Sequence, residues 1–207
     1  KTVYRQSQKS SIVRNAHQIN AGIEPNFNEQ LQDDCHFVTE MSVENIRETL
    51  KDLYSNRLQQ KYQLDPINDV QLLTPMNRGP LGSNELNEFL QEILNPKRRG
   101  VPEISRSDLI FRLGDKVIQT SNNYDLNVFN GDIGNIRELG VDSGKMAVQY
   151  VDRTVWYEKE QIIELRLAYA ITIHKSQGSE FPCVVIPISS QHYRMLQRNL
   201  IYTGLTR

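Results

Sequence analysis

Hydrophobic residues recur with two different periods along this chain. Residues 8–21, 42–62 and 84–94 carry apolar side chains at helical spacing, which predicts three helices. Short apolar runs at His36–Met41 and Asp69–Thr74 predict strands between these helices. A mixture of helices and buried strands is typical of an α/β domain.

The pattern changes between residues 97 and 165, where short alternating segments are separated by turn signals such as Asn130-Gly131-Asp132. These segments predict the strands 116–120, 132–136, 145–150 and 154–157. No helix of useful length fits this stretch, which predicts a small antiparallel barrel or sheet. The α/β pattern resumes after residue 166. We therefore expect one domain made of residues 1–96 and 166–207, with a β-unit of residues 97–165 inserted into it.

A polar cluster between two apolar runs is the most informative segment. The run that contains Ile171 and Ile173 predicts a buried strand, and Cys183–Ile186 predicts another. Between them lie the polar and glycine residues Thr172, His174, Lys175, Ser176, Gln177, Gly178 and Glu180. In open α/β sheets ligands bind just outside the carboxyl ends of strands, so this loop is a candidate binding site.

The composition of the chain excludes some classes of protein but does not identify a ligand. The formal net charge of the 207 residues is −1, so bulk charge does not indicate nucleic acid. Residues 191–207 nevertheless contain three arginines and no acidic residue. Such a basic patch either binds a polyanion or is an ordinary solvent-exposed surface. The two cysteines, Cys35 and Cys183, lack metal-site spacing and are expected to be reduced thiols. The sequence contains no apolar run long enough to span a membrane, so we expect a cytoplasmic protein with no membrane partner. It also shows no cluster of metal-binding carboxylates, so we expect no metal site in this chain.

The segment Thr172 to Glu180 resembles motif V of superfamily 1 helicases. Tyr4-Arg5-Gln6 resembles motif IV of the same family, and Tyr202-Thr203-Gly204-Leu205-Thr206-Arg207 resembles motif VI. The resemblance implies that Arg5 and Arg207 contact the γ-phosphate of ATP as catalytic residues. A planar guanidinium with fixed charge suits phosphate recognition, although an arginine before a helix also serves in surface ion pairs.

The same resemblance assigns the remaining polar residues of these motifs. Gln177, Gly178 and Glu180 are implied to lie near the nucleotide, and so is Gln6, which alternatively caps the first helix. Thr172, His174 and Lys175 are implied to face the DNA backbone. For His174 the alternative is a histidine held by a neighbouring carbonyl group.

Two further regions of the chain resemble RecD-type helicases in particular. The strand end and glycine-rich loop from Thr74 to Gly82 is a candidate phosphate grip, with Thr74 and Arg78 as DNA-binding residues. The alternative is a plain strand–turn–helix connection. The segments that begin at Leu113, Asn122 and Val128 resemble the Src-homology-3-like (SH3-like) barrel inserted in these helicases.

The aromatic residues of this region serve either base stacking or the core of the barrel itself, and they are Tyr124, Phe129, Trp156 and Tyr157. We assign Asn123 and Tyr124 to DNA, and Phe129 and Trp156 to the core. Lys116 or Arg112 is the candidate for contact with phosphates.

No G-x-x-x-x-G-K-(S/T) sequence occurs, so the chain contains no P-loop. The resemblance therefore implies the second, RecA-like motor domain of a RecD-type 5′-to-3′ DNA helicase, with an inserted barrel. ATP and Mg²⁺ are the implied cofactors, held mainly by an N-terminal P-loop motor domain that precedes this piece. Single-stranded DNA is the implied partner, and the piece alone is expected to be inactive. Two alternatives stay open: a non-catalytic DNA-binding module, and a subunit of a helicase–nuclease repair complex.

Overall fold

The computed structural model describes residues 10–25, 34–140 and 142–207. Its α-helices are α1 (Ser11–Ala21), α2 (Val43–Asp52), α3 (Leu58–Tyr62), α4 (Ser83–Leu94) and α5 (Arg198–Leu205). A π-helical turn, Leu53–Arg57, joins α2 to α3, so that these two helices form one continuous rod. Short 3₁₀ turns occupy Gln161–Glu164 and Ser190–His192.

Local sequence signals explain where the first helices begin and end. The Ser10 hydroxyl accepts from the Val13 amide, and Gly22 ends α1 in the left-handed conformation that favours glycine. The Ser42 hydroxyl accepts from the Asn45 amide at 3.1 Å, so a serine, a residue that favours this position, caps the second helix. The first predicted helix is confirmed over the part of it that the structure describes.

In the described part of the chain, ten strands form three sheets. In chain order the strands are β1 (Val70–Thr74), β2 (Glu103–Arg106), β3 (Leu109–Arg112), β4 (Lys116–Gln119), β5 (Ile133–Gly140), β6 (Lys145–Gln149), β7 (Thr154–Tyr157), β8 (Leu165–Leu167), β9 (Ala170–Thr172) and β10 (Cys183–Val185). The strand predicted at His36–Met41 is wrong, since this segment has no strand conformation and exposes Phe37 and Val38. The hairpin formed by β2 and β3 was not predicted.

The parallel sheet has the strand order β10-β1-β9. Every residue of β1 is buried, as expected for a central strand covered on both faces. The register pairs Thr74 with Thr172, so β1 and β9 end side by side. The loops that follow these two strands therefore leave the sheet at the same edge.

The antiparallel sheet has the strand order β7-β6-β5-β4-β8. Its inner face is filled by buried apolar side chains and by two tyrosines, and the buried set is Val117, Ile136, Met146, Val148, Tyr150, Val155, Tyr157 and Leu165. Phe129 and Trp156, which we had assigned to this core, are 41% and 49% exposed, so that assignment is wrong. The inserted antiparallel unit itself is confirmed. Since β8 extends the sheet to Leu167, the domain boundary at residue 165 stays a prediction.

Within the described residues, two buried apolar clusters join the parallel sheet to the barrel. Buried Leu50, Tyr54 and Leu58 of the helical rod belong to the same cluster as Leu72 of β1 and Phe111 of β3. Asp115, which precedes β4 and is fully buried, accepts hydrogen bonds from Gln91 of α4, from Asn95 just after this helix and from the Tyr169 hydroxyl. Burial raises the pKa of Asp115. The barrel is thus fixed to the parallel sheet by packing and by this buried polar network.

Candidate nucleotide and nucleic-acid site

Three loops meet beyond the carboxyl ends of the parallel strands. Residues 75–82 follow β1, residues 173–182 follow β9, and residues 186–197 follow β10. The Ile173 amide donates to the Thr74 carbonyl at 3.0 Å and extends the pairing of β1 with β9 into the loops. Gly79 lies beside the Gln191 side chain, which brings the first and third loops together. This is the edge at which ligands bind in open α/β sheets.

The loop after β9 is a series of tight turns. The Thr172 hydroxyl, itself buried, accepts from the Lys175 amide at 3.3 Å, and the Ser176 hydroxyl donates to the Ile173 carbonyl at 2.7 Å. Gly178 has a φ of +90°, a backbone conformation that favours glycine. These turns leave the side chains of His174, Lys175, Gln177 and Glu180 exposed.

Arg207 lies against the end of this loop. The Phe181 amide donates to the Arg207 carbonyl at 2.9 Å, so the backbone of the predicted motif VI arginine is fixed to the segment that follows Glu180. The guanidinium is half-buried and donates to the Thr203 carbonyl at 3.1 Å. The structure therefore brings Arg207 close to the predicted nucleotide residues. Arg5 and Gln6 lie outside the described residues.

The loop after β1 does not form the predicted phosphate grip. The Thr74 side chain is fully buried and donates to the Leu81 carbonyl at 2.6 Å, so a DNA contact from Thr74 does not fit this geometry. The Ser83 and Asn84 amides, at the start of α4, already donate to the carbonyls of Met76 and Asn77. These amides are not free to bind an anion. Arg78 is exposed on this loop.

The barrel presents an aromatic residue on a well-anchored loop. The Asn123 side-chain amide donates to the Glu164 carboxylate at 3.1 Å, and its oxygen accepts from the Leu126 amide at 3.0 Å. The Asn123 side chain therefore has internal partners and holds the loop. Tyr124 is 77% exposed and packs edge-on against Phe129, with ring centroids 6.1 Å apart.

Two basic residues proposed for phosphate contact are internal instead. Arg112 is buried and forms ion pairs with Glu92 at 2.6 Å and with Glu103 at 2.7 Å. Lys116 is 4% exposed and donates to the Val70 carbonyl at 3.2 Å. Both assignments to DNA were wrong, because the sequence does not reveal which charged residues of the barrel face the rest of the protein.

Sequence reasoning missed residues that position the site. Buried Asn87 of α4 donates to the Ala170 carbonyl at 2.8 Å and accepts from the Ala170 amide at 2.9 Å, which clamps α4 to β9. Glu164, which holds Asn123, also accepts from Gln119. The available signal for Asn87 was its place beside the apolar face of a helix, since a buried amide needs partners.

Within residues 10–25, 34–140 and 142–207, no three His, Cys, Asp or Glu side chains cluster in a way that would hold a metal ion. None of the helices in this described part of the chain is long and apolar enough to cross a membrane.

Two family models match parts of the chain. Residues 86–150 match the ATP-dependent RecD-like DNA helicase SH3 domain, and residues 167–207 match the UvrD-like helicase C-terminal domain. Solved Pif1 helicases have the same fold at 17% identity. Pif1 of Bacteroides bound to single-stranded DNA gives a TM-score of 0.59 over 100% of this chain and 48% of its own, and Pif1 of Candida albicans gives 0.59 over 100% and 53%. The fold and the two family models together identify this chain as a domain of a superfamily 1 helicase.

Two curated relatives assign the chain to one family within the superfamily 1 helicases. The ATP-dependent RecD2 DNA helicase of Deinococcus radiodurans is 34% identical over 99% of this chain, and the RecBCD enzyme subunit RecD of Haemophilus influenzae is 30% identical over 82%. The chain belongs to the RecD-type family of superfamily 1 helicases, as the second motor domain with its SH3-like insertion. It spans 26% and 27% of the lengths of these two relatives.

Proposed function

We propose that this chain is the C-terminal half of the motor of an ATP-dependent DNA helicase that moves 5′ to 3′ on a single strand. Membership of the RecD-type family supports the proposal, and so does the name of the RecD2 relative, an ATP-dependent DNA helicase. Since the sequence contains no P-loop, the chain acts together with an N-terminal P-loop motor domain. Alone it does not hydrolyse ATP.

The nucleotide role rests on the hydrogen bond between the Phe181 amide and the Arg207 carbonyl. This one contact supports a common surface for Arg207 and for Gln177, Gly178 and Glu180. We propose that ATP binds between this surface and the P-loop domain, where Arg207 contacts the γ-phosphate. An arginine at that position stabilises the charge that develops during phosphoryl transfer.

The other nucleotide assignments have no structural support within the described residues. Arg5 as a second γ-phosphate contact and Gln6 as a nucleotide contact remain proposals from the motif IV resemblance. Mg²⁺ would be held mainly by the P-loop domain, which binds the phosphates of ATP.

The DNA role rests on exposed side chains at two places. His174, Lys175 and Arg78 extend from the loops at the sheet edge, and Tyr124 extends from the barrel. Lysine and arginine neutralise phosphates, and an exposed ring stacks on bases without sequence preference. In this proposal Thr172 and Asn123 shape the loops that carry these residues.

A subunit of a helicase–nuclease complex is the second candidate, supported by the RecD subunits among the relatives. The match to the RecD2 helicase has higher identity and covers more of this chain, and it favours that branch. A non-catalytic DNA-binding module is the third reading, and a P-loop sequence upstream in the gene would exclude it. Cytoplasmic localisation stays a prediction.

Binding of fluorescent oligothymidine to the 207-residue chain, followed by anisotropy at several salt concentrations, tests the DNA role. We expect weak binding that falls with salt by a slope of about −0.7 for each phosphate contact. Tyr124→Ala should weaken binding by about 1–3 kcal/mol, the range for one stacked base.

Trp156→Ala is the matched control, because Trp156 is a half-exposed aromatic residue on a strand of the same barrel. Equal losses in both variants would contradict a stacking role for the Tyr124 loop. An absence of binding by the unmutated chain would contradict the proposed DNA surface as a whole.

A further inference from the structure

Lys116, the first residue of β4, is a buried cation at the junction between the barrel and the parallel sheet. Its ammonium group donates to the Val70 carbonyl, at the start of β1. In the part of the chain that the structure describes, Lys116 forms no ion pair. The carboxylates of Asp65 and Asp69, on the turn before β1, act on it only at longer range.

A buried ammonium without a close carboxylate is expensive for the fold. Burial lowers the pKa of Lys116 from 10.5 to about 8, which reflects the cost of keeping the charge away from water. An apolar side chain of similar length would fill the same space without this cost. Stability therefore does not explain a lysine at this position.

The position of the ammonium group suggests a role. Its nitrogen lies 5.9 Å from the centre of the Phe181 ring, within the range of a cation–π contact. The Phe181 amide donates to the Arg207 carbonyl. Lys116 thus contacts, from the barrel, the residue that joins the loop after β9 to the end of α5.

A second contact shows that the barrel touches the same corner of the motor domain. The Asn135 side chain of β5 donates to the Asn68 side chain at 3.1 Å, on the turn that precedes β1. The two contacts lie on neighbouring barrel strands, since Lys116 pairs with Asn135. A movement of the barrel would therefore displace its contacts with Asn68, Val70 and Phe181 together.

We propose that Lys116 is a positioning residue, which holds Phe181 and through it the Arg207 backbone in register with the barrel. A strand of DNA that moves the barrel would by this route move the arginine that contacts ATP. The catalytic consequence rests on the proposed function, whereas the mechanical link between Lys116 and Phe181 does not.

Lys116→Met tests this proposal, with Lys51→Met on the exposed face of α2 as the matched control. Hydrogen exchange in the 207-residue chain should show the Phe181 amide exchanging roughly tenfold faster in Lys116→Met, as a locally loosened contact predicts. The melting temperature should be no lower than that of the unmutated chain, because a costly buried charge has been removed. Lys51→Met should change neither quantity.

In the complete gene product, Lys116→Met should lower kcat for DNA-stimulated ATP hydrolysis by roughly tenfold, with KM for ATP and the Kd for DNA within about twofold. Unchanged exchange at Phe181 would overturn the proposal. A lower melting temperature with faster exchange throughout the chain would also overturn it, since Lys116 would then be purely structural. If the unmutated gene product hydrolyses no ATP, the proposed function fails, and exchange at Phe181 still decides the mechanical link.

Discussion

At the scale of single residues, burial separates the polar side chains of this chain into two groups. His174, Lys175 and Tyr124 are exposed and available to a ligand, whereas Thr74 and Thr172 are buried and hold loops through their hydroxyl groups. Both groups lie in segments that resemble helicase motifs. A motif residue can therefore serve the site by shaping a loop as well as by touching the ligand.

Lys116 gives a residue-scale prediction for the pH dependence of stability. Its pKa in the folded chain, about 8, is lower than its ordinary value of 10.5. Between these values the unfolded chain binds more protons, so the free energy of unfolding should rise with pH across this window. Lys116 should contribute about 1–2 kcal/mol to this rise between about pH 7.5 and about pH 9.5.

Urea unfolding at these two pH values, for the unmutated chain and for Lys116→Met, measures this contribution. The substitution removes the titrating group, so the variant should show a smaller increase in unfolding free energy. The same increase in both proteins would mean that the pKa of Lys116 is not lowered by folding.

At the scale of elements, β7 buries one aromatic side chain and exposes the one next to it. Tyr157 points into the barrel and is fully buried, and its hydroxyl lies 2.6 Å from that of Tyr150 and donates to Gln119 at 2.9 Å. Trp156, its neighbour, points outward because successive side chains of a strand face opposite sides.

We therefore expect Tyr157→Ala to destabilise the chain by about 3–5 kcal/mol, as for other large buried side chains. Trp156→Ala should cost about 1 kcal/mol or less, since half of this side chain is already in water. Urea unfolding of both variants distinguishes the two residues. A larger loss for Trp156→Ala would show that β7 is shifted by one residue from the register described here.

The sequence predicted most elements because their signals are local. The cap at Ser42, the apolar stripe of α4 and the alternation of β6 and β7 all depend on neighbouring residues. Alternation does not say which face of a strand is buried, so Trp156 was assigned to the core in place of Tyr157. The strand predicted at His36–Met41 is absent for another non-local reason. A strand needs a hydrogen-bonded partner strand, and the local pattern does not show whether one is present.

The candidate site was predicted less completely, for a related reason. The loop from Thr172 to Glu180 was recognised from its residues and lies at the expected sheet edge. The burial of Thr74, Arg112 and Lys116 depends on contacts outside their own strands, with Leu81, Glu92 and Val70 respectively. Glu92 and Val70 lie 20 and 46 residues away from their partners in sequence. Only the folded chain shows that these three side chains face inward.

At the scale of the whole molecule, a buried polar network and buried apolar clusters fix the barrel to the parallel sheet. Within the described residues, the loop after β9 and the barrel therefore belong to one connected body, since Ile173 and Leu200 pack in one cluster with Ile118 of β4. In a motor, such a body would move as a unit when a neighbouring domain closes on ATP, which is the usual mode of ligand-driven domain closure. This arrangement suits half of a two-domain motor.

Hydrolysis of ATP by the complete gene product, with and without single-stranded DNA, tests whether this chain is half of an ATP-driven motor. We predict DNA-stimulated turnover by the complete protein and none by the 207-residue chain. Arg207→Ala should lower kcat by ~10³ or more, with little change in DNA affinity, as for other arginines that contact the transferring phosphoryl group. Arg99→Ala, which removes an exposed arginine outside the site, should leave kcat unchanged. Near-normal turnover in Arg207→Ala, or turnover by the 207-residue chain alone, would contradict the account.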